Sequence, residues 1–152
     1  MAIGGNALAD PHDPHDLARQ GEKAAALAVA LADLLTTGIH LVIVHGNGPQ
    51  VGARLIQSEA AWQQVPPSSL HVLVAETQGE MGHHLALAIL NEVRRRGLAV
   101  PVVALVSHVL VNPSDPEFRH PDKPVGPVYN EDEARRLAAE RGWQMAPGAG
   151  GG

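Results

Sequence analysis

Two hydrophobic patterns alternate along the chain. Short apolar runs occupy residues 1–3, 39–44 and 101–106, and longer stretches with apolar residues at helical spacing lie between them. Strands alternating with helices are typical of a parallel sheet with crossover helices. The pattern therefore predicts an α/β fold. The run 39–44 is apolar at nearly every position, so we expect a strand covered on both faces.

Capping residues mark the predicted helices. Asp13 and Pro14 suit the N-cap and first position of a helix that ends at Gly38, and its leucines predict one buried face. Gly79 and Gly82 interrupt the longest helix, where a bend or a close backbone contact is expected. The leucine face is Leu27, Leu31, Leu34 and Leu35, and the other predicted helices span 49–64, 69–96 and 130–142.

The C-terminal part of the chain lacks this alternation of strands and helices over residues 112–129 and 147–152. Between residues 112 and 129, five prolines exclude a regular helix or a central strand, which predicts a stiff surface excursion. Residues 147–152 contain nothing that packs and are predicted to form a flexible Gly-rich tail. The remaining residues, 1–146, have the length of a single lobe.

Composition narrows the function classes. The chain has 152 residues, 45% of them hydrophobic and 18% charged, and no apolar run approaches the roughly 20 residues of a membrane span. The net charge is −5 and the only dense basic cluster is 94–96, so neither a nucleic acid nor a membrane partner is expected. The chain has no cysteine and starts without a secretory signal pattern, which favours the cytoplasm.

The sharpest candidate site is the turn at Gly46, Asn47 and Gly48, between a predicted strand and a predicted helix. Glycines there leave backbone N–H groups bare at the positive end of a helix, where an anion binds favourably. A tight turn without a ligand is the alternative. The spacing fits neither a Walker loop nor a dinucleotide fingerprint.

A second glycine turn follows the first predicted strand, at Gly4, Gly5 and Asn6. In a parallel sheet it would lie at the same carboxyl edge as Gly46, so that both turns face one crevice. Lys123 is one of only two lysines and stands among prolines that restrict its backbone, as a phosphate-clamping lysine requires. A plain turn and an exposed lysine are the respective alternatives.

Histidine is abundant, but no metal site is predicted. His12 with His15 and His83 with His84 lack the i, i+4 spacing of a helical zinc site, and no cysteine is available as a further ligand. The residues from Glu76 to Gly82 could present polar groups to a ligand, with close helix packing as the alternative.

Several motifs together resemble the N-terminal part of the carbamate kinases, within the amino acid kinase family. They are IGGNAL at 3–8, HGNGPQVG at 45–52, TQG at 77–79 followed by Gly82, Asp115-Pro116 with Phe118, and KPVGP at 123–127 with Tyr129. The resemblance runs along nearly the whole chain, and the second and last motifs are highly specific in combination.

The resemblance implies a three-layer αβα sandwich with a mainly parallel sheet and reversible phosphoryl transfer between ATP and carbamate, giving carbamoyl phosphate and ADP with Mg²⁺. By analogy Gly4, Gly5 and Asn6 approach the phosphoryl group, Gly46, Asn47 and Gly48 hold the carbamate or carbamoyl moiety, and Lys123 neutralises phosphate charge. It also implies a homodimer that serves arginine or purine catabolism.

Some features depart from the family pattern. Ser107-His108 and Asn112 replace the usual Thr-Gln and Asp, and a C-terminal nucleotide-binding lobe is not found in the sequence. We therefore expect a truncated lobe that binds the small anion but does not turn over alone. The alternatives are an acyl-phosphate kinase acting on an N-acetylated amino acid such as N-acetylglutamate, and a non-catalytic module that binds carbamoyl phosphate or dimerises.

Overall fold

The computed structural model describes residues 1–4, 7–8, 17–121, 125–126 and 128–146. It divides into two compact units, 1–108 and 109–152. The first unit contains strands β1 (Ala2–Ile3) and β2 (Val44–His45) and helices α1 (Leu17–Leu35), α2 (Gly48–Ala60) and α3 (Leu70–Arg95). The second contains a 3₁₀ turn (Pro116–Phe118) and helix α4 (Glu131–Arg141). The predicted α/β class is confirmed.

The parallel pairing is short. Ala2 lies opposite Val44 and Ile3 opposite His45. The Val44 N–H donates to the Met1 carbonyl at 3.0 Å, and the Gly46 N–H donates to the Ile3 carbonyl at 3.1 Å. The two chain segments therefore run in the same direction and end together.

Helices α1 and α3 pack against each other and supply most of the core. The buried positions of α3 recur every four residues, so this stripe turns by about 40° at each step around the helix. Its C-terminal end packs on the α1 residues Ala28, Leu31 and Ala32. The stripe consists of Leu73, Thr77, Met81, Leu85, Ile89 and Val93.

The leucine face predicted for α1 is wrong at Leu34, which is 38% exposed. Three alanines, Ala24, Ala28 and Ala32, are buried instead and lie to one side of the direction of Leu31, with Ala24 about 20° from it. Leu34 points about 120° away from the centre of this alanine face. The predicted start at Asp13 and Pro14 lies outside the described residues.

The predicted helix ends are largely confirmed. Gly38 and Gly97 have φ angles of 81° and 70°, a left-handed conformation that glycine adopts without strain, and they follow α1 and α3. Helix α2 ends at Ala60, earlier than the predicted 64, and the backbone N–H of Ala61 closes it on the Gln57 carbonyl.

The apolar runs 39–44 and 101–106 differ from the prediction. Of these residues only Val44 is in a strand. Leu41 and Ile43 pack on the core, whereas Val42 is 77% exposed and Leu105 is 82% exposed. The expectation that both faces of 39–44 are covered is therefore wrong, because no described residue packs on the side that carries Val42.

Close packing explains one interrupting glycine. A Cβ placed on Gly82 would stand 3.1 Å from the Ala104 Cβ, whereas one on Gly79 would meet nothing within 4 Å. The predicted close contact is confirmed at Gly82, and its neighbour is the extended run 101–106 rather than another helix.

An ion-pair cluster joins the end of α3 to α1. Arg96 contacts Asp33 at 2.5 Å and Glu92 at 2.6 Å, and it donates to the Val29 carbonyl at 3.1 Å. Hydrogen bonds from Arg95 and Arg96 lower the pKa of Glu92 to about 2. Arg96 thus joins the end of α3 to α1.

In the second unit, the Asn130 side chain accepts from the Glu133 N–H at 2.9 Å and caps α4, in agreement with the predicted start of a helix at residue 130. Gly142 has a φ of 68° and ends the helix as expected. The tail 147–152 lies outside the described residues. Within the described ranges, no helix is both long and apolar enough to cross a membrane.

Candidate functional site

Both glycine turns begin at the same end of the parallel pair. Gly4 directly follows β1 and Gly46 directly follows β2. This is the juxtaposition that the sequence predicts. Gly46 does not offer a free donor, since its N–H is bonded to Ile3. Gly5 and Asn6, the remainder of the first turn, lie outside the described residues.

Helix α2 starts immediately after the second turn. Asn47 occupies the N-cap, and its carbonyl accepts from the Val51 N–H at 2.9 Å. Its side chain makes no capping hydrogen bond. The N–H groups of Gly48 and Gln50 therefore lie in a first turn where an α-helix provides no acceptor, and Pro49 has no N–H. They form the positive end of the helix dipole.

The Asn47 side chain binds α3 instead. Its Nδ2 donates to the Thr77 hydroxyl at 2.9 Å and to the Val74 carbonyl at 3.2 Å. These contacts hold the glycine turn against the N-terminal third of α3. The NH₂ group of Asn47 is thus committed to the protein.

Gln50 has an unusual environment. The residue is 2% exposed, and neither Oε1 nor Nε2 has a hydrogen-bond partner. A buried carboxamide without partners carries a desolvation cost of about 1 to 3 kcal/mol. An orphaned amide in the first turn of α2 is a second polar feature beside the unpaired backbone donors.

Space is open at both turns. A Cβ built on Gly4 or on Gly48 would meet no atom within 4 Å. The protein itself therefore does not require glycine there for packing. Absence of side chains at these two positions leaves the backbone accessible.

Other residues singled out from the sequence lie elsewhere or have internal partners. Lys123 lies outside the described residues. Gln78 accepts from the Ser107 N–H at 3.0 Å, and Glu80 pairs with Arg54 at 3.0 Å. The polar groups of the 76–82 segment are therefore largely occupied by protein contacts.

Within the described ranges, no group of three or more His, Cys, Asp or Glu side chains is placed to hold a metal ion. His83 and His84 stack edge to face with ring centres 5.7 Å apart.

Two residues of this site were not assigned an individual role from the sequence. Thr77 is a polar residue in the every-fourth-residue apolar stripe of α3, and that position is the signal that marks it. Gln50 stands three residues after the N-cap Asn47, the position from which a glutamine reaches back to a cap. Neither signal alone specifies the partner.

The sequence has clear relatives. The family model described as the amino acid kinase family matches residues 1–129. A carbamate kinase from Thermococcus kodakarensis is 40% identical over 155 residues, covering 100% of this chain and 49% of the relative. One from Escherichia coli is 41% identical over 145 residues, covering 95% of this chain and 47% of the relative.

Solved structures agree. A protein of Aeropyrum pernix superposes with a TM-score of 0.91 at 40% identity, covering 97% of this chain and 47% of that protein. The carbamate kinase from Giardia lamblia bound to AMP-PNP gives a TM-score of 0.86 at 34% identity, covering 99% of this chain and 48% of that protein. The chain spans about half the length of the curated relatives it matches.

Proposed function

Because the chain belongs to the amino acid kinase family, we propose that it supplies the small-anion half of a carbamate kinase site. In this proposal it binds carbamate and carbamoyl phosphate. A phosphoryl group is transferred reversibly between ATP and carbamate, giving ADP and carbamoyl phosphate. Relatives named carbamate kinase at 40% and 41% identity support this choice of substrate.

The observation that carries the proposal is the register of the parallel pair. Ile3 lies opposite His45, so the turns at Gly4 and Gly46 leave the sheet at one end. The start of α2 follows directly, with first-turn N–H groups that have no acceptor within the helix. An anion placed there meets backbone N–H groups and the positive end of a helix dipole together.

This arrangement suits phosphoryl transfer. The reaction requires positioning and charge stabilisation more than covalent participation by the protein. Gly4 with Gly5 and Asn6 would approach the transferred phosphoryl group. Gly46, Asn47 and Gly48 would hold the carbamate end, and Lys123 would stabilise the negative charge that develops on the phosphoryl oxygens.

Other parts of the proposal go beyond these residues. We infer ATP and ADP as nucleotides, with support from the AMP-PNP bound to the Giardia lamblia relative. Mg²⁺ is part of the proposed reaction, but no step is assigned to it because the described residues supply no cluster for it. A homodimer, the cytoplasm and a role in arginine metabolism complete the proposal, and sedimentation of the purified chain tests the dimer.

Binding of a stable analogue tests the proposed substrate. Phosphonoacetamide keeps the carboxamide and phosphorus groups of carbamoyl phosphate but has a methylene in place of the hydrolysable oxygen. In isothermal titration calorimetry we expect the 152-residue chain to bind it in preference to N-acetylglutamate. Preference for N-acetylglutamate, or no binding of either compound, would contradict the proposal.

A pair of glycine variants locates the binding. Gly48→Ala and Gly52→Ala both add a methyl group that meets no protein atom within 4 Å, and both lie in α2. Both gain up to about 1 kcal/mol of helix propensity. Only the methyl at residue 48 enters the space at the turn, so we expect weaker binding for Gly48→Ala and unchanged binding for Gly52→Ala. Equal affinities would place the ligand elsewhere.

A further inference from the structure

The hydrogen bond between Asn47 and Thr77 joins the glycine turn to α3 across 30 positions of sequence. Thr77 has no exposed surface. Its hydroxyl therefore cannot exchange this partner for water while the chain is folded. A hydroxyl in such a place has a fixed set of partners.

The partners of Thr77 determine the orientation of the Asn47 amide. The Thr77 hydroxyl has one hydrogen, and it donates toward the carbonyls of Leu73 at 2.9 Å and Val74 at 3.0 Å in its own helix. Its oxygen is then left to accept. The Val74 carbonyl is likewise only an acceptor. Asn47 must turn its NH₂ group, with both hydrogens, toward α3.

The other end of the amide follows from this orientation. When Nδ2 is held by Thr77 and Val74, Oδ1 is held away from these two acceptors. No described residue donates a hydrogen bond to Oδ1, and Oδ1 is not among the buried unpaired atoms. Among the described residues, the turn therefore offers Oδ1 as a side-chain acceptor in addition to the first-turn N–H groups of α2.

We propose that Thr77 is a positioning residue that fixes the Asn47 amide with its oxygen toward the substrate, so that the site selects a substrate bearing an N–H group. The inference rests on the proposed function, because the substrate it selects is carbamate. Carbamate has an amino group that donates to Oδ1. An acyl group that carries a methyl in the same place has no hydrogen to give.

A pair of analogues measures this selectivity. Acetonylphosphonate has the shape of phosphonoacetamide, with a methyl group in place of the amino group. One additional hydrogen bond corresponds to an affinity that is higher by about five- to tenfold. We expect the wild-type chain to bind phosphonoacetamide more tightly by that factor.

Substitution of Thr77 tests the cause of the preference. Thr77→Val keeps the shape and removes the hydroxyl, so the Asn47 amide is free to turn over, and we expect the ratio of the two affinities to fall to about one. Thr77→Ser restores the hydroxyl and should restore the ratio. Thr36→Val is the matched control, since its hydroxyl bonds only to the Asp33 carbonyl near the end of α1. A ratio unchanged in Thr77→Val would overturn the proposal.

A measurement on the wild-type chain covers the case in which Thr77→Val does not fold. The side-chain NH₂ of Asn47 should exchange with solvent at least tenfold more slowly than that of exposed Asn112. Equally fast exchange would overturn the positioning role. Slow exchange together with no binding of phosphonoacetamide would instead contradict the proposed function alone.

Discussion

Two apolar regions of the first unit differ in how much of their side-chain surface is buried. The interface between α1 and α3 buries Leu31 and Val93 at 1% and 0% exposure, whereas Val42 and Leu105 in the extended runs 39–44 and 101–106 are 77% and 82% exposed. All four are similar aliphatic residues. The difference teaches that apolar character decides burial only where a neighbouring element is present to cover it.

The largest effect on the free energy of unfolding is expected when a leucine in each region is replaced by alanine and the two variants are compared. Leu31→Ala leaves a cavity in a packed interface and should lower the free energy of unfolding by about 2 to 5 kcal/mol. Leu105→Ala removes a side chain that is already in water and should change it by less than about 0.5 kcal/mol. Urea titration followed by circular dichroism compares them. Similar losses would mean that Leu105 is covered in solution.

An intermediate effect is expected where the two regions touch. Gly82→Val drives a branched side chain into Ala104 and should destabilise the chain by about 1 to 3 kcal/mol. Gly79→Val adds the same side chain on α3 where no atom lies within 4 Å. Thermal melting of the two variants isolates the contact. If both melt alike, the run 101–106 does not lie against Gly82.

The smallest effect concerns the ion pairs at the edge of the α1–α3 interface. Arg95 and Arg96 lower the pKa of Glu92 from 4.5 to about 2, so its stabilising effect is complete above pH 4.5 and is lost as the pH falls toward 2. Urea titrations at pH 6 and pH 3 should show a larger acid-induced loss for wild type than for Glu92→Gln. An identical loss in both would show that Glu92 does not contribute.

Much of the helical framework could be predicted from the sequence, because local chemistry determines it. The stops at Gly38 and Gly97 and the cap at Asn130 depend on residues within one helical turn. The coverage of 39–44 could not be predicted, because an apolar run looks the same whether one face or both are packed. The prediction failed at Leu34 for a related reason, since small alanines beside Leu31 face α3 and a leucine at position 34 does not.

The candidate site was predictable to a different extent. The convergence of the turns at Gly4 and Gly46 follows from parallel pairing, which the alternation of elements predicts. The roles of Thr77 and Gln50 could not be predicted, because they depend on which elements meet in three dimensions. The roles of Lys123, Gly5 and Asn6 in the site stay predictions.

The central claim is that a small anion binds where both glycine turns leave the parallel pair. Titration of the ¹⁵N-labelled chain with phosphonoacetamide, followed by two-dimensional NMR, tests it most directly. We expect saturable shifts that are largest for the backbone amides of Gly4, Gly48 and Gln50. Largest shifts at Arg95 and Arg96, or no saturable shift at any residue, would contradict the claim.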